Sequence, residues 1–195
     1  VRELLNILML RGNIGKPGAG ACPVRGHSNV QGNRTVGIDE KPTVAFLNAL
    51  EQQYTFTVPR DNGFNTVESI HAMLSGKAKV FIGLGGNFAA ATPDTQRTYQ
   101  ALNKCDLTVQ ISTKLNRSHI VTGKRALILP CLGRTEIDRQ ASGEQCITVE
   151  DSMSMVHSSA GQNEPASNTL LSETAIVSAI ATASVGNEVV NWSQL

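Results

Sequence analysis

An α/β fold, a parallel sheet flanked by helices, is what the sequence predicts, and three observations predict it. Three short apolar runs, 80–84, 107–111 and 126–129, read as buried strands. Segments with helical periodicity alternate with them along the chain. Glycine, proline or capping residues punctuate nearly every junction.

The elements follow in order. Val1, Leu4, Leu5, Leu8 and Met9 fall at i, i+3, i+4, i+7 and i+8, one apolar stripe of a helix, and Gly12 supplies its stop. Gly12 to Gly37 is a glycine-rich stretch with almost no periodicity; a loop of that length in a compact domain is usually functional or disordered, and its scattered Pro23, Val24, Arg25 and Val30 favour function. Val44, Phe46, Leu47, Leu50 and Tyr54 fit a helix, followed by a turn-rich stretch from Pro59 to Gly63. Asn65 with Glu68 three residues on makes a capping-box start, and Val67, Ile70, Met73 and Leu74 share a face before Gly76. Val80 to Leu84 is then expected to be a strand buried on both faces. Asp94 to Cys105 reads as a helix with Thr92 as cap and Pro93 in its first turn. The strand Leu107 to Ile111, a short helix around Ser118 to Gly123, and the strand Ala126 to Leu129, halted by Pro130, complete the alternation. Cys146 to Val149 reads as a further strand outside that sheet, Ser158 to Asn168 as a polar loop, and Leu170 to Val185 as an alanine-rich amphipathic closing helix. No internal repeat or low-complexity tract interrupts the pattern.

Composition narrows the function classes. The 195 residues are enough for one domain with a proper core and too few for two comfortable ones. Seventeen basic against sixteen acidic side chains call for neither nucleic acid nor an anionic membrane, and 4% aromatics argue against a base-stacking surface. No apolar run is long enough to span a bilayer, and no signal peptide opens the chain. Of the four cysteines, three sit in apolar or β-rich surroundings that favour reduced, buried thiols. These features point to a cytoplasmic location. The chain opens inside a helical pattern at Val1 and ends at Leu195 without a clear closing element, so it is expected to be an excised piece of a longer protein.

In an open parallel sheet, ligands bind beyond the carboxyl ends of the strands. The first such end is Gly85-Gly86-Asn87-Phe88, leading to Thr92-Pro93; it suits close backbone approach to an anion, or is an ordinary strand-to-helix turn. The second runs from Ser112 to His119; dense in donors, with cations at Lys114 and Arg117, it suits a pyrophosphate or ribose, or is a solvated loop. At the third, Cys131 has no fixed histidine partner, and a buried spectator thiol is favoured over a nucleophile. Cys22 and His27 alone make a poor zinc site, and no residue is assigned as a metal ligand. Arg25, in the glycine-rich loop, offers a guanidinium fork for a small carboxylate, or bonds loop carbonyls.

The run Arg11-Gly12-Asn13-Ile14-Gly15-Lys16-Pro17-Gly18-Ala19-Gly20, leading into Cys22-Pro23-Val24-Arg25-Gly26-His27-Ser28-Asn29-Val30-Gln31-Gly32, resembles the molybdopterin oxidoreductases. More narrowly, it is similar to the formate dehydrogenase-like alpha subunits. Gly83-Leu84-Gly85-Gly86-Asn87 resembles that family's G-x-N turn. Thr108 to Pro130 resembles its strand, its Thr/His-rich loop and its strand ending in Leu-Pro, and Glu136 to Val149 the segment that follows. The resemblance extends from the opening helix to about His157.

What the resemblance implies is a single α/β cofactor-binding domain fragment over 1–195, part of a dinucleotide-cofactor-binding domain. Residues 1–40 would hold the opening helix and active-site loop, 41–157 the α/β core, and 158–195 a linker and closing helix. The implied cofactor is molybdenum bis(molybdopterin guanine dinucleotide), with a [4Fe–4S] cluster outside this chain. Gly85, Gly86, Asn87 and Thr92 would hold the guanosine-phosphate end, and Ser112, Thr113, Lys114 and His119 would finish that pocket. Arg25 matches the arginine that orients formate, and His27 is a candidate proton relay, since an imidazole exchanges protons near neutrality. The implied partners are a small-molecule substrate such as formate and an electron acceptor. Two departures stand out: His27 and Ser28 follow Gly26 where formate dehydrogenases commonly read Arg-Gly-Gln-Asn-Asn, and Phe88 replaces the proline after G-x-N. Two rival readings are a nucleotide-binding regulatory domain of NAD type, against which no full G-x-G-x-x-G follows the first strand, and a catalytically silent relative serving as an assembly subunit.

Overall fold

The computed structural model describes residues 1–195 apart from Arg25, Ser28, Thr55, Val189 and 193–195. In chain order come the helices α1 (Arg2–Leu10), α2 (Val30–Thr35), α3 (Val44–Tyr54) and α4 (Thr66–Leu74). Strand β1 (Val80–Leu84), the short α5 (Phe88–Ala91), α6 (Thr95–Lys104), β2 (Leu107–Ser112), a 3-10 turn (Arg117–His119) and β3 (Arg125–Pro130) follow. Then come β4 (Arg139–Gln140), β5 (Gly143–Glu144), β6 (Ile147–Glu150), β7 (Val156–Ser159) and α7 (Glu173–Val185). The chain divides into two compact units, one built from 1–54 with 148–158 and the other from 55–147 with 159–195.

The second unit is α/β, as the alternating pattern predicts. Its sheet is parallel in the order β1-β2-β3, with Val80, Leu107 and Arg125 abreast at one end and Leu84, Ile111 and Leu129 at the other. Helices cover both faces, because a parallel sheet exposes two apolar surfaces. On one face Ile70 and Met73 of α4 and Ala101 and Leu102 of α6 pack with Phe81 and Phe88. On the other, Ile176 and Ile180 of α7 pack against Val109, Ile111 and Leu129. Burying a side chain such as Leu102 contributes about 1.5–3 kcal/mol.

Local signals explain most of the junctions. Glu68 N donates to Asn65 Oδ1 at 2.9 Å and Asn65 N to Glu68 Oε2 at 2.9 Å, closing the capping box at the start of α4. Ser172 caps α7, its Oγ accepting from Ala175 N. Gly12 and Gly76 follow the ends of α1 and α4 with φ of +64° and +77°, the left-handed stop that glycine takes without a Cβ penalty.

Several expectations are corrected. β1 is not buried on both faces: Val80, Ile82 and Leu84 are each about half exposed, because β1 is a sheet edge and one of its faces lies beyond the reach of the α7 cluster. Thr92 does not cap α6. The chain first makes one turn of helix at α5, and Asp94, at φ +55°, accepts from Arg97 N at 3.1 Å. The short helix expected around Ser118 to Gly123 is instead a 3-10 turn at Arg117–His119, capped by Asn116, whose Oδ1 accepts from Ser118 N. The Gly12–Gly37 stretch contains α2, and the segment after β3 contains the β4–β5 hairpin. Neither has an apolar period of its own; side-chain bonds to distant segments hold them, as when Arg139 forks onto both oxygens of Glu164 at 2.7 Å. Cys105 and Cys131 are buried, whereas Cys146, at the edge of a two-stranded ladder, and Cys22 are exposed.

Among the described residues, no helix is long and apolar enough to cross a membrane.

Candidate functional site

Because the strands are parallel and in register, the loops leaving β1, β2 and β3 emerge at one end of the sheet. Gly85 N donates to Ile111 O at 2.8 Å, extending the ladder by one bond. Gly85 and Gly86 then both take φ of +67°, and a Cβ at Gly86 would meet nothing within 4 Å, so glycine is required there by backbone conformation and not by space.

The loop after β2 closes onto the loop after β1. Asn116 Nδ2 donates to Gly86 O at 2.7 Å. Ser118 Oγ donates to Asn87 Oδ1 at 3.1 Å and accepts from Ala89 N at 3.0 Å. Asn87 and the Ser112–His119 loop therefore lie on the same side of the fold, joined directly. Asn116 and Ser118, the two residues that make this joint, were not among the candidates; the Asn-x-Ser spacing before a short turn is the signal that marks them.

The predicted residues differ in what their side chains can offer. Thr92 Oγ1 donates to Phe88 O at 3.0 Å and lies 2.8 Å from Thr98 Oγ1, so its hydroxyl ties α5 to α6. His119 is 6% exposed, and its Nδ1 accepts from Asn116 N at 2.9 Å, which stiffens the loop from inside. Ser112 Oγ donates to Lys114 O at 2.9 Å and shapes the turn.

Thr113 and Lys114 open into a cavity of about 830 Å³ between the end of β3 and the start of α7. Pro130 to Arg134 form one wall, Gln145 to Ile147 another, and Ser172, Glu173 and Thr174 the first turn of α7. Gly85 borders the same helix start, since a Cβ there would lie 3.9 Å from Glu173 Oε1. Lys114 and Arg134 bring positive charge to the lining; Glu136, Asp138 and Glu173 bring negative charge. The Cys131 thiol is 3% exposed; burial, then the Glu173 carboxylate, push its pKa up, so it stays protonated as a spectator thiol does.

Glu136 braces the wall. Its Oε2 accepts from Gly133 N at 2.6 Å and its Oε1 from Ala166 N at 2.7 Å, and these two backbone donors hold its carboxyl below the usual glutamate range. A depressed folded pKa contributes stability that is fully present above the unfolded pKa, about 4.3, and fades as pH falls through the folded value. Glu136→Gln keeps one acceptor and leaves one N–H facing an amide NH2. Chemical denaturation across an acid pH series is expected to show the variant less stable at neutral pH, with the gap to wild type narrowing below the glutamate range. A gap that stays constant with pH would remove Glu136 from this role.

The glycine-rich loop belongs to the first unit. Arg25 lies outside the described residues; His27 is an exposed residue in a bend. Two residues on, Asn29 Oδ1 accepts from Glu150 N at 2.8 Å and its Nδ2 donates to Thr148 O at 3.1 Å. Among the described residues, no group of three or more His, Cys, Asp or Glu side chains is placed to hold a metal ion.

No family model matches the chain. It is 57% identical over 186 residues to a Mycobacterium tuberculosis protein named an uncharacterized oxidoreductase, covering 95% of this chain and 24% of that one. It is 52% identical over 195 residues to protein YdeP of Escherichia coli K12, covering 100% of this chain and 26% of YdeP. A putative formate dehydrogenase, YrhE of Bacillus subtilis, is 29% identical over 125 residues, covering 58% of this chain and 12% of YrhE. The chain thus spans about a quarter of the length of the first two of these relatives.

Proposed function

We propose that this chain is part of a molybdopterin-dependent oxidoreductase resembling formate dehydrogenase. In this reading the second unit grips the guanine dinucleotide end of a molybdenum bis(molybdopterin guanine dinucleotide) cofactor, and the loop of Arg25 and His27 serves a small substrate such as formate. The observation that carries the reading is the direct joint between the loops after β1 and β2, Asn116 to Gly86 and Ser118 to Asn87, beside a cavity lined by Thr113 and Lys114. Support comes from similarity to a protein named an oxidoreductase and from a more distant likeness to a putative formate dehydrogenase.

The donor set in the cavity fits such a group. Its volume of about 830 Å³ lies within the range of small-molecule sites, about 300–1,000 Å³. Phosphates need cations and N–H donors, and Lys114, Arg134, the Thr113 hydroxyl and the first turn of α7 supply them. Guanine presents neighbouring N–H donors that a carboxylate accepts, and Asp138 or Glu173 suits that edge.

When bound, the molybdenum centre supplies two-electron redox chemistry. The chain's own residues bind and orient. Gly85 and Gly86 let the backbone approach the ligand, with Asn87 beside them. Ser112, Thr113 and Lys114 shape and charge the far side, while Thr92 and His119 keep the two loops in place. Arg25 holds a substrate carboxylate by its fork, and His27 holds or passes a proton at its ring nitrogen. In this reading the [4Fe–4S] cluster lies outside these 195 residues, and the electron acceptor is a partner of the whole protein.

Metal and pterin analysis of the full-length protein tests this. Molybdenum with two pterins per chain is the expected result. Absence of both would replace the reading with a nucleotide-binding regulatory domain of NAD type, and cofactor present without turnover of formate or any other small substrate would indicate a catalytically silent assembly subunit.

A further inference from the structure

We propose that Asn29 is a positioning residue, whose side-chain amide clasps the backbone of β6 in room left by Gly32 and so fixes the foot of the loop that carries His27. The proposal rests on the reading that this loop serves the substrate.

Asn29 stands at φ +60° and ψ +16° as the residue before α2. Asparagine tolerates this left-handed conformation better than most side chains. It is also a favoured helix N-cap, yet its side chain makes no capping bond to α2. It reaches instead to β6, far along the chain, donating from Nδ2 to Thr148 O and accepting at Oδ1 from Glu150 N. One amide thus reproduces the donor–acceptor pair that a neighbouring strand would offer β6. The first turn of α2 is tied to the same segment, since Gln31 Nε2 donates to Glu150 Oε1 at 3.0 Å and to Ser154 Oγ at 3.2 Å.

Gly32 gives an independent line of support. A glycine inside a helix is unfavourable relative to alanine. Here a Cβ would overlap Asn29 Oδ1 and lie 2.7 Å from its Cγ and 3.0 Å from its Nδ2. The amide lies across α2 where a side chain at position 32 would otherwise stand, so the glycine is explained by the clasp. His27 is two residues before Asn29, so an anchored Asn29 backbone limits how far His27 can move.

Two variants attack the clasp from opposite sides in the full-length protein. Asn29→Gly keeps the left-handed backbone and deletes the amide; Gly32→Ala keeps the amide and removes its room. Both are expected to speed hydrogen exchange at the Glu150 amide about tenfold, as loss of its bond to Oδ1 implies. With formate and an artificial dye as acceptor, both should also raise KM and lower kcat while molybdenum and pterin content stay at wild-type levels. Unchanged exchange at Glu150 in both variants would overturn the clasp. Faster exchange with wild-type KM and kcat, or activity lost only in proportion to cofactor, would overturn the positioning role. A wild-type protein without molybdenum would overturn the enzymatic reading itself, and the positioning role with it, whatever the exchange rates.

Discussion

Gly161→Ala is expected to destabilise the protein by about 3 kcal/mol. A Cβ at this position would overlap the carbonyl carbon and oxygen of Glu136 and lie 2.8 Å from its nitrogen. These are backbone atoms, so no side chain can swing aside. Nor can the backbone yield freely, because Gln162 N and Asn163 N both donate to Thr135 O at 2.9 Å and Ile137 N donates to Asn163 O at 2.9 Å. The two segments are locked on either side of the clash. The same segment carries Ala166, whose N–H Glu136 accepts, so the damage reaches the cavity wall. Gly63→Ala is the matched control, since a Cβ there meets nothing within 4 Å and its φ is not in the left-handed region; a shift within about 0.5 kcal/mol is expected. Thermal unfolding of the two variants beside wild type checks the contrast, and equal midpoints for both would refute the steric account.

On the proposed molybdopterin reading, Arg25→Ala in the full-length protein is expected to leave molybdenum and pterin content intact and to lower formate turnover about 10²-fold, the scale set by losing substrate orientation. The guanidinium fork, rather than charge alone, is the feature at stake. Arg25→Lys keeps the charge but not two parallel donors, so it should recover a fraction of the loss. Turnover and cofactor content measured on the same preparations separate orientation from folding. Parallel loss of molybdenum and activity would make Arg25 structural.

Helices and strands with their own stop signals were legible in the sequence. Asn65 and Glu68 announce α4, and the apolar runs give β1, β2 and β3 nearly to the residue, whereas the closing helix, read from Leu170, starts at Glu173 behind its cap Ser172. Elements held by distant partners were not legible. The helix α2 contains Gly32 and Asn33 and lacks an apolar face; it forms where Asn29 and Gln31 bond to the β6 segment. The β4–β5 hairpin is two residues a side and depends on Arg139 meeting Glu164. For the candidate site, the glycines at 85 and 86 marked the strand end. The residues that join the loops, Asn116 and Ser118, and the brace at Glu136 show their role only once the partner backbone is in place.

What the sequence determined by itself is the alternation of helix and strand and the chemistry available at each strand end, because capping, glycine conformation and apolar period act over a few neighbouring residues. The tertiary structure decided which of those groups still have free valence. Thr92 is bonded inward and Asn116 N holds His119 at Nδ1, leaving its buried Nε2 without a partner among the described residues, whereas Thr113 and Lys114 line open space. A hydrogen bond needs a partner at about 3 Å, and for a side chain such as Asn29 that partner lies more than a hundred residues away along the chain.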